Sequence, residues 1–407
     1  MIILNKKRSF FIIILTSILL LSSCTYKGKE EKNQRKNRKN KVDIIKEKVD
    51  NMKLEEKIGQ LVMVGFVGEE LNDNIEKMLD NYYVGGVILF EENIKNTDQT
   101  LNLINSLKKI NRKNNIPLFI AADEEGGKIT RLSNIFGNMP SGKNIGELDN
   151  EDYSFEIGSL IGYRLKSIGF NLDFAPVLDI NSNPRNLIIG DRAYGTTKES
   201  VSKHGIQVMK GIQSNNIVPT IKHFPGHGDT YIDSHLDLPV VDKDLKELKS
   251  MELVPFREAI DNGADMVMIG HILFSKIDKE NPATFSKEII TNILRKDLNY
   301  DKVIITDDMA MGAITKNYNI GEAAIKSLKA GIDIILVCHD YENQVQVIEA
   351  IDKAIKSGEL TESEIDEKVY RIIKLKEEYG IKDETIDFVD IDKVNKKMKD
   401  LKNIEKR

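Results

Sequence analysis

Three histidines, His223, His227 and His235, fall within thirteen residues in the segment KHFPGHGDTYIDSH, 222–235. Six histidines scattered at random over 407 residues rarely cluster in this way, so the segment reads as functional. Two chemistries can use it. Imidazoles with an aspartate can hold a metal that activates water. Alternatively, an imidazole can shuttle a proton while a carboxylate attacks an anomeric carbon, as in glycoside cleavage. Spacing weighs against the metal. His-x-x-x-His makes a metal pair on a helix, where both rings share one face. Here Phe224-Pro225-Gly226 lies between the first two histidines and Gly228 follows, and Pro and Gly specify a loop.

Other polar groups gather at the ends of short apolar runs: Asp123-Glu124, Asp173 with Asp179, Lys222-His223, His271, Asp307-Asp308 and His339-Asp340. Five of the six histidines lie at or just beyond such ends, His204 being the exception inside a helical pattern. Chemistry therefore collects at one end of a repeated element.

The repeated element is a buried strand. Apolar runs occupy 60–66, 84–90, 118–123, 171–177, 219–224, 264–271, 302–307 and 332–338. They are continuous rather than alternating, which fits strands covered on both faces of a parallel sheet. Helical patterns follow runs two to seven, at 97–113, 153–168, 199–214, 244–262, 287–297 and 321–330. Gly169, Gly263 and Gly331 supply helix stops. Eight strand-helix units predict an α/β fold, a (β/α)8 TIM-type barrel forming a single catalytic domain. A doubly wound open sheet is the competing arrangement. Two C-terminal helices are expected at 343–357 and 362–378, the second opened by a Thr361/Glu364 capping box, and residues 381–407 read as a loose polar tail.

The chain is 41% hydrophobic and 30% charged, which excludes a disordered protein, and two cysteines exclude a disulfide framework. Its net charge of −5 is uneven: residues 1–24 carry +3 and 25–41 carry +6, leaving −14 on the body. An acidic body argues against nucleic acid as a partner. The first 24 residues place Lys6, Lys7 and Arg8 before a twelve-residue apolar run and end in Leu-Ser-Ser-Cys. This is signal-peptide anatomy, and the ending resembles a bacterial lipobox, implying cleavage before Cys24 and lipid on its sulfur. Residues 1–23 are thus expected to be a lipoprotein signal peptide and 24–44 a disordered basic tether. The catalytic barrel is expected over 45–380.

The segment KHFPGHGDTYIDSH resembles the signature of family 3 glycoside hydrolases of the β-N-acetylglucosaminidase branch. So do ADEEGGKITRL (122–132), NLDFAPVLDINSNP (171–184), IGDRAYG (189–195) and VIITDDMAMGAI (303–314), in family order. The resemblance implies a (β/α)8-type barrel and a retaining mechanism through a covalent glycosyl-enzyme. It implies Asp307 as the nucleophile and an Asp233–His235 dyad as the acid/base. It also implies that Asp123, Arg131, Arg192, Lys222 and His223 bind substrate. Asp308 is expected to be a loop or capping acid, His271 to line the site or pack behind it, and Cys338 to be a buried small residue. Two positions depart from the family pattern, Glu124 where a glutamine is usual and Lys302 where a glycine is expected.

The expected activity is exo-hydrolysis of terminal β-linked N-acetylglucosamine, from peptidoglycan fragments in recycling or from other glycans, without metal or other cofactor. The expected partners are a β-GlcNAc-containing glycan or muropeptide and a membrane, reached from its extracytoplasmic side through the lipid on Cys24. The chain is expected to act as a monomer. A phosphorylase or a β-glucosidase on the same site remains open, as do, from other classes, a metallohydrolase and a non-catalytic glycan-binding lipoprotein.

Overall fold

The computed structural model describes residues 44–230, Ser234 and residues 237–404. Cys24 and the segments around it lie outside the described residues, as do Asp233 and His235. Residues 44–50 form a helix, and a separate compact unit begins at Lys53.

Eight strands form the main sheet of that unit: β1 Val62–Val64, β2 Gly86–Ile88, β3 Phe119–Ala122, β4 Leu172–Asp173, β5 Val218–Phe224, β6 Met266–Ile269, β7 Val303–Thr306 and β8 Ile335–Val337. Seven of the expected runs contain one of them, and the fifth, 219–224, coincides with β5 except that the strand begins one residue earlier, at Val218. Neighbours pair in parallel in chain order, and β8 returns to β1 with Ile335 opposite Val62. Between β7 and β8 a single bridge joins Ile305 to Ile334, and the Thr306 N–H donates to the Ile334 carbonyl at 3.0 Å. The sheet therefore curls on itself, and the doubly wound open sheet is set aside, since its edge strands would not meet. Every residue of these strands is buried, as continuous rather than alternating apolar runs require.

Helices cover the outside, and local chemistry sets their ends. Asn96, Asn150, Thr197 and Asn319 each accept a backbone N–H at a helix start through the side chain. Gly169 and Gly331 end two of these helices at φ of 107° and 117°, which residues bearing a Cβ rarely adopt. Three local expectations change. The stretch 244–262 is two helices, Leu245–Ser250 and Leu253–Asp261. Pro255 lacks an N–H to continue the first, and instead occupies the opening turn of the second. A capped helix at Asp73–Asp80 lies between β1 and β2, where none was expected. The tail is not loose. Asp383 accepts from the Leu118 N–H at 3.1 Å and the Asn111 side chain at 2.7 Å. Beyond it, the helix Ile391–Ile404 buries Val394 and sets Lys393 and Lys397 over the Tyr163 ring.

Candidate active site

The C-terminal ends of the strands and the loops after them enclose a cavity of about 310 Å³. Its lining includes Asp123, Arg131, Arg192, Lys222, His223 and Asp307, so the structure brings the described sequence candidates together. Asp123 follows β3, Lys222 and His223 end β5, and Asp307 ends β7. In β5 two sequence neighbours both face the cavity. The ladder with β6 slips between Ile221 and Phe224, and the Lys222–His223 peptide is cis.

Charge is balanced inside the cavity. Lys222 Nζ lies 2.7 Å from Asp123 Oδ1 and 2.7 Å from Glu125 Oε1. Glu125 also takes Arg192 at two points, at 2.8 and 2.7 Å. Arg131 reaches the other oxygen of Asp123 at 3.5 Å. Burial opposes a charge on Lys222, but the carboxylates of Asp123 and Glu125 outweigh it and raise its pKa. Glu125 was not foreseen. The signal was available: two cations brought into one cavity need more than one carboxylate, and Glu125 stands within the matching segment.

A second layer orients His223. Asp179, fully buried, accepts from His223 Nδ1 at 2.7 Å, which leaves Nε2 toward Arg192 at 3.5 Å. The same carboxylate accepts the backbone N–H groups of His223 at 3.2 Å and of His227 at 2.6 Å. Burial works against ionisation of Asp179, and His223 and His227 reverse it, holding the pKa below the usual aspartate value.

His227 braces the loop. Its Nδ1 lies 2.8 Å from the Thr230 hydroxyl and its Nε2 3.1 Å from the Ser234 hydroxyl. Burial, with His223 beside it, lowers its pKa to about 4. Among the described residues no three His, Cys, Asp or Glu side chains converge as metal ligands do. Gly228 is where the loop presses against the strand β4 side: a Cβ there would stand 1.7 Å from the Ile180 carbonyl oxygen. Ser234 lines the cavity, and its carbonyl accepts the Ala313 N–H at 3.1 Å.

Asp307 is set in a fixed frame. Its backbone N–H donates to the Ile269 carbonyl at 3.0 Å, and its Oδ1 accepts the Asp308 N–H at 2.9 Å. Burial would raise its pKa, but His223, His271, the Asp308 N–H and Lys222 overcome this and lower it to about 2. Asp308 is a loop acid, accepting from Ala310 and Cys338 N–H groups at 2.9 Å each. His271 is fully buried behind it, with Nε2 donating to the Asp308 carbonyl at 3.0 Å and Nδ1 facing the Thr284 hydroxyl at 2.7 Å. Cys338 is buried, as expected, and also forms part of the cavity wall. Asp173 sits beneath the wall, where burial pushes its pKa well above the usual value.

Residues 53–375 match the model of the glycosyl hydrolase family 3 N-terminal domain. The chain belongs to glycosyl hydrolase family 3. It is accordingly a glycoside hydrolase. Beta-hexosaminidase A of Pseudoalteromonas piscicida is 34% identical over 331 residues, 75% of this chain, and this chain spans 55% of that relative's length. A beta-hexosaminidase of Idiomarina loihiensis is 34% identical over 293 residues, 71% of this chain and 87% of the relative. Among solved structures, a glycoside hydrolase family 3 beta-N-acetylglucosaminidase from Paenibacillus sp. str. FPU-7 superposes with a TM-score of 0.81 at 39% identity, over 86% of this chain and 68% of that one.

Both departures from the family 3 pattern have structural explanations. Glu124 is fully buried and folds the turn that returns Arg131 to Asp123. Its carboxylate accepts from the Thr130 hydroxyl at 2.6 Å and from the N–H groups of Arg131 and Leu132 at 2.6 and 3.1 Å. Arg164, also fully buried, stands 3.8 Å away as its counter-charge. Lys302 lies at the opposite end of the barrel, before β7, where it meets Asp265 at 2.7 Å.

Proposed function

We propose that this protein is a retaining, exo-acting β-N-acetylglucosaminidase that releases terminal non-reducing β-linked N-acetylglucosamine from peptidoglycan fragments or other glycans. The observation that carries the reading is Asp307: a carboxylate kept ionised at a strand end, in a cavity whose other charged groups are spaced to hold sugar hydroxyls. The beta-hexosaminidase and beta-N-acetylglucosaminidase relatives support the choice of sugar.

In this reading Asp307 attacks the anomeric carbon as the glycosidic C–O bond breaks, and His235 gives its proton to the leaving oxygen. Water then attacks the glycosyl ester, passing a proton back to His235, and the bond to Asp307 breaks. Asp233 orients the imidazole and supports its protonated form. The motif carries this dyad, and the seating of Ser234 against the cavity supports it. Asp123, Arg131, Arg192, Lys222 and His223 hold the sugar, using donors and acceptors already paired with one another. We also read Cys24 as lipid-bearing, with the enzyme held at the extracytoplasmic membrane surface by a basic tether and acting as a monomer; the basic n-region, apolar run and Leu-Ser-Ser-Cys ending support this.

The test is product release from an aryl β-N-acetylglucosaminide by the full chain, in phosphate buffer, beside Asp307→Asn and the matching aryl β-glucoside. Free N-acetylglucosamine from the wild type and none from the variant is the expected result. Sugar 1-phosphate would replace hydrolysis by phosphorolysis, and preference for the glucoside would overturn the sugar assignment. For the anchor, mass analysis of the mature N-terminal peptide should find lipid on Cys24.

A further inference from the structure

In sequence, Asp233 and His235 lie between Asp229 and Lys243. Lys243 Nζ stands 2.9 Å from Asp229 Oδ2 and 2.5 Å from Glu252 Oε1. One ammonium thus joins the outgoing end of this segment, its return end and the start of the helix Leu253–Asp261. We propose that Lys243 is a positioning residue for the proton-transfer step, its two ion pairs fixing the ends of the segment from which the acid/base acts. The inference rests on the roles proposed above for Asp233 and His235.

The anchor of this arrangement is buried. Glu252 is 3% exposed, and among the described residues Lys243 is the cation within ion-pair distance of it. Its side chain lies against the turn between His223 and His227: a Cβ on Gly226, which has a φ of 132°, would stand 2.8 Å from the Glu252 Cβ. Burial opposes a charge on Lys243, but Glu252 and Asp229 outweigh it and raise its pKa. A pair between two exposed side chains contributes little. Breaking a pair that leaves a buried carboxylate uncompensated costs much more.

Each end is otherwise held by a different part of the barrel. On the outgoing side, the His227 N–H donates to Asp179 at 2.6 Å, and the Asn183 amide reaches the Asp229 and Thr230 carbonyls at 3.5 and 3.4 Å. On the return side, Val240–Val241 runs parallel to Leu273–Phe274, and the Leu273 N–H donates to the Pro239 carbonyl at 2.9 Å. Lys243 sets one end against the other. Fixing both ends reduces the conformations open to the residues between them. Proton transfer needs its donor held within hydrogen-bond reach of the leaving oxygen, so that reduction bears on rate. Ser234, inside the segment, lines the cavity, whereas Lys243 does not, so Lys243 acts through the segment and not on the sugar.

The experiment uses the full chain carrying Lys243→Met or Lys243→Arg, each with and without His235→Ala. The substrates are GlcNAc-β-1,4-GlcNAc and an aryl β-N-acetylglucosaminide with a stabilised phenolate as leaving group. Lys243→Met should lower kcat/KM by about tenfold for the disaccharide and by no more than about twofold for the aryl glycoside, since only the first needs a well-placed proton. Lys243→Arg keeps a cation between the two carboxylates and should restore the disaccharide rate. With His235→Ala already present, Lys243→Met should cause no further selective loss. Equal losses on the two substrates, or a selective loss that persists beside His235→Ala, overturn the proposal. Should Lys243→Met fail to fold, Lys243→Met/Glu252→Gln removes the uncompensated carboxylate and is held to the same outcomes. His235→Ala alone separates the two failures. If it slows the disaccharide selectively and Lys243→Met does not, only the positioning role falls; if it does not, the acid/base reading falls and this proposal with it.

Discussion

Glu125 grips Arg192 at two points, with Oε2 2.8 Å from Nε and Oε1 2.7 Å from Nη2. The same Oε1 stands 2.7 Å from Lys222 Nζ, so one buried carboxylate spaces the two cations proposed to hold the sugar. Burial alone would favour the neutral acid, but Arg192 and Lys222 hold its pKa far below the usual glutamate range.

Glu125→Gln should therefore leave two buried cations undercompensated and cost about 3–5 kcal/mol in urea unfolding at pH 7. The depressed pKa fixes the sign with pH. The stabilisation is present above the unfolded glutamate value of about 4.3 and is lost only as pH falls through the much lower folded value. The gap between variant and wild type should thus persist undiminished from pH 7 to pH 5. Overlapping unfolding curves would refute the role.

Asp307 offers a kinetic prediction. With its pKa near 2, the nucleophile imposes no acid limb on kcat/KM in the ordinary carboxylate range. After burial, His223 is the largest influence on it. His223→Asn should then lower kcat/KM and also raise the acid limb toward about pH 4. An unmoved limb in a folded variant would show that His223 does not tune the nucleophile.

His227 should make the fold sensitive to mild acid. Its pKa falls from 6.5 to about 4 on folding, so the unfolded chain binds the extra proton first. Stability should decline as pH drops from 6.5 toward 4 and then level, a loss of about 3 kcal/mol from this residue. His227→Gln keeps a polar group between Thr230 and Ser234 without that proton. Urea midpoints at pH 7 and pH 4.5 should differ less in the variant than in the wild type; an equal difference counts against the assignment.

His235→Ala tests the acid/base reading by leaving group. Disaccharides, whose leaving oxygen needs a proton, should slow by at least about 10²-fold, while aryl glycosides with stabilised phenolates lose far less in the first step. Equal losses on both substrates would remove His235 from the proton-transfer role.

Much of the fold was legible because burial on both faces forces a local signature. A strand covered above and below has no polar residues to alternate, and each of the eight runs became a strand. The outer helices were legible where a cap or a glycine stop marked them, as at Thr361 and Gly331. The helix Asp73–Asp80 was missed because its mean character is polar and its apolar residues, Ile75, Met78 and Leu79, are few. The tail was misread for a related reason: its anchoring contacts, such as Asp383 with Leu118, join residues far apart in sequence.

The sequence by itself determined the residue types, the strand ends on which the chemistry sits, and the ordered motifs that mark the family. Those are local properties, written within a few residues of one another. Tertiary structure alone decided that Glu125 pairs with Arg192 and Lys222, that Asp179 orients His223, and that His227 braces Thr230 and Ser234. It also decided that Phe90 and His339, more than two hundred positions apart, stack into one wall. Pairings of this kind depend on which loops barrel closure brings within about 3–5 Å, and on what burial then demands in charge and hydrogen bonds.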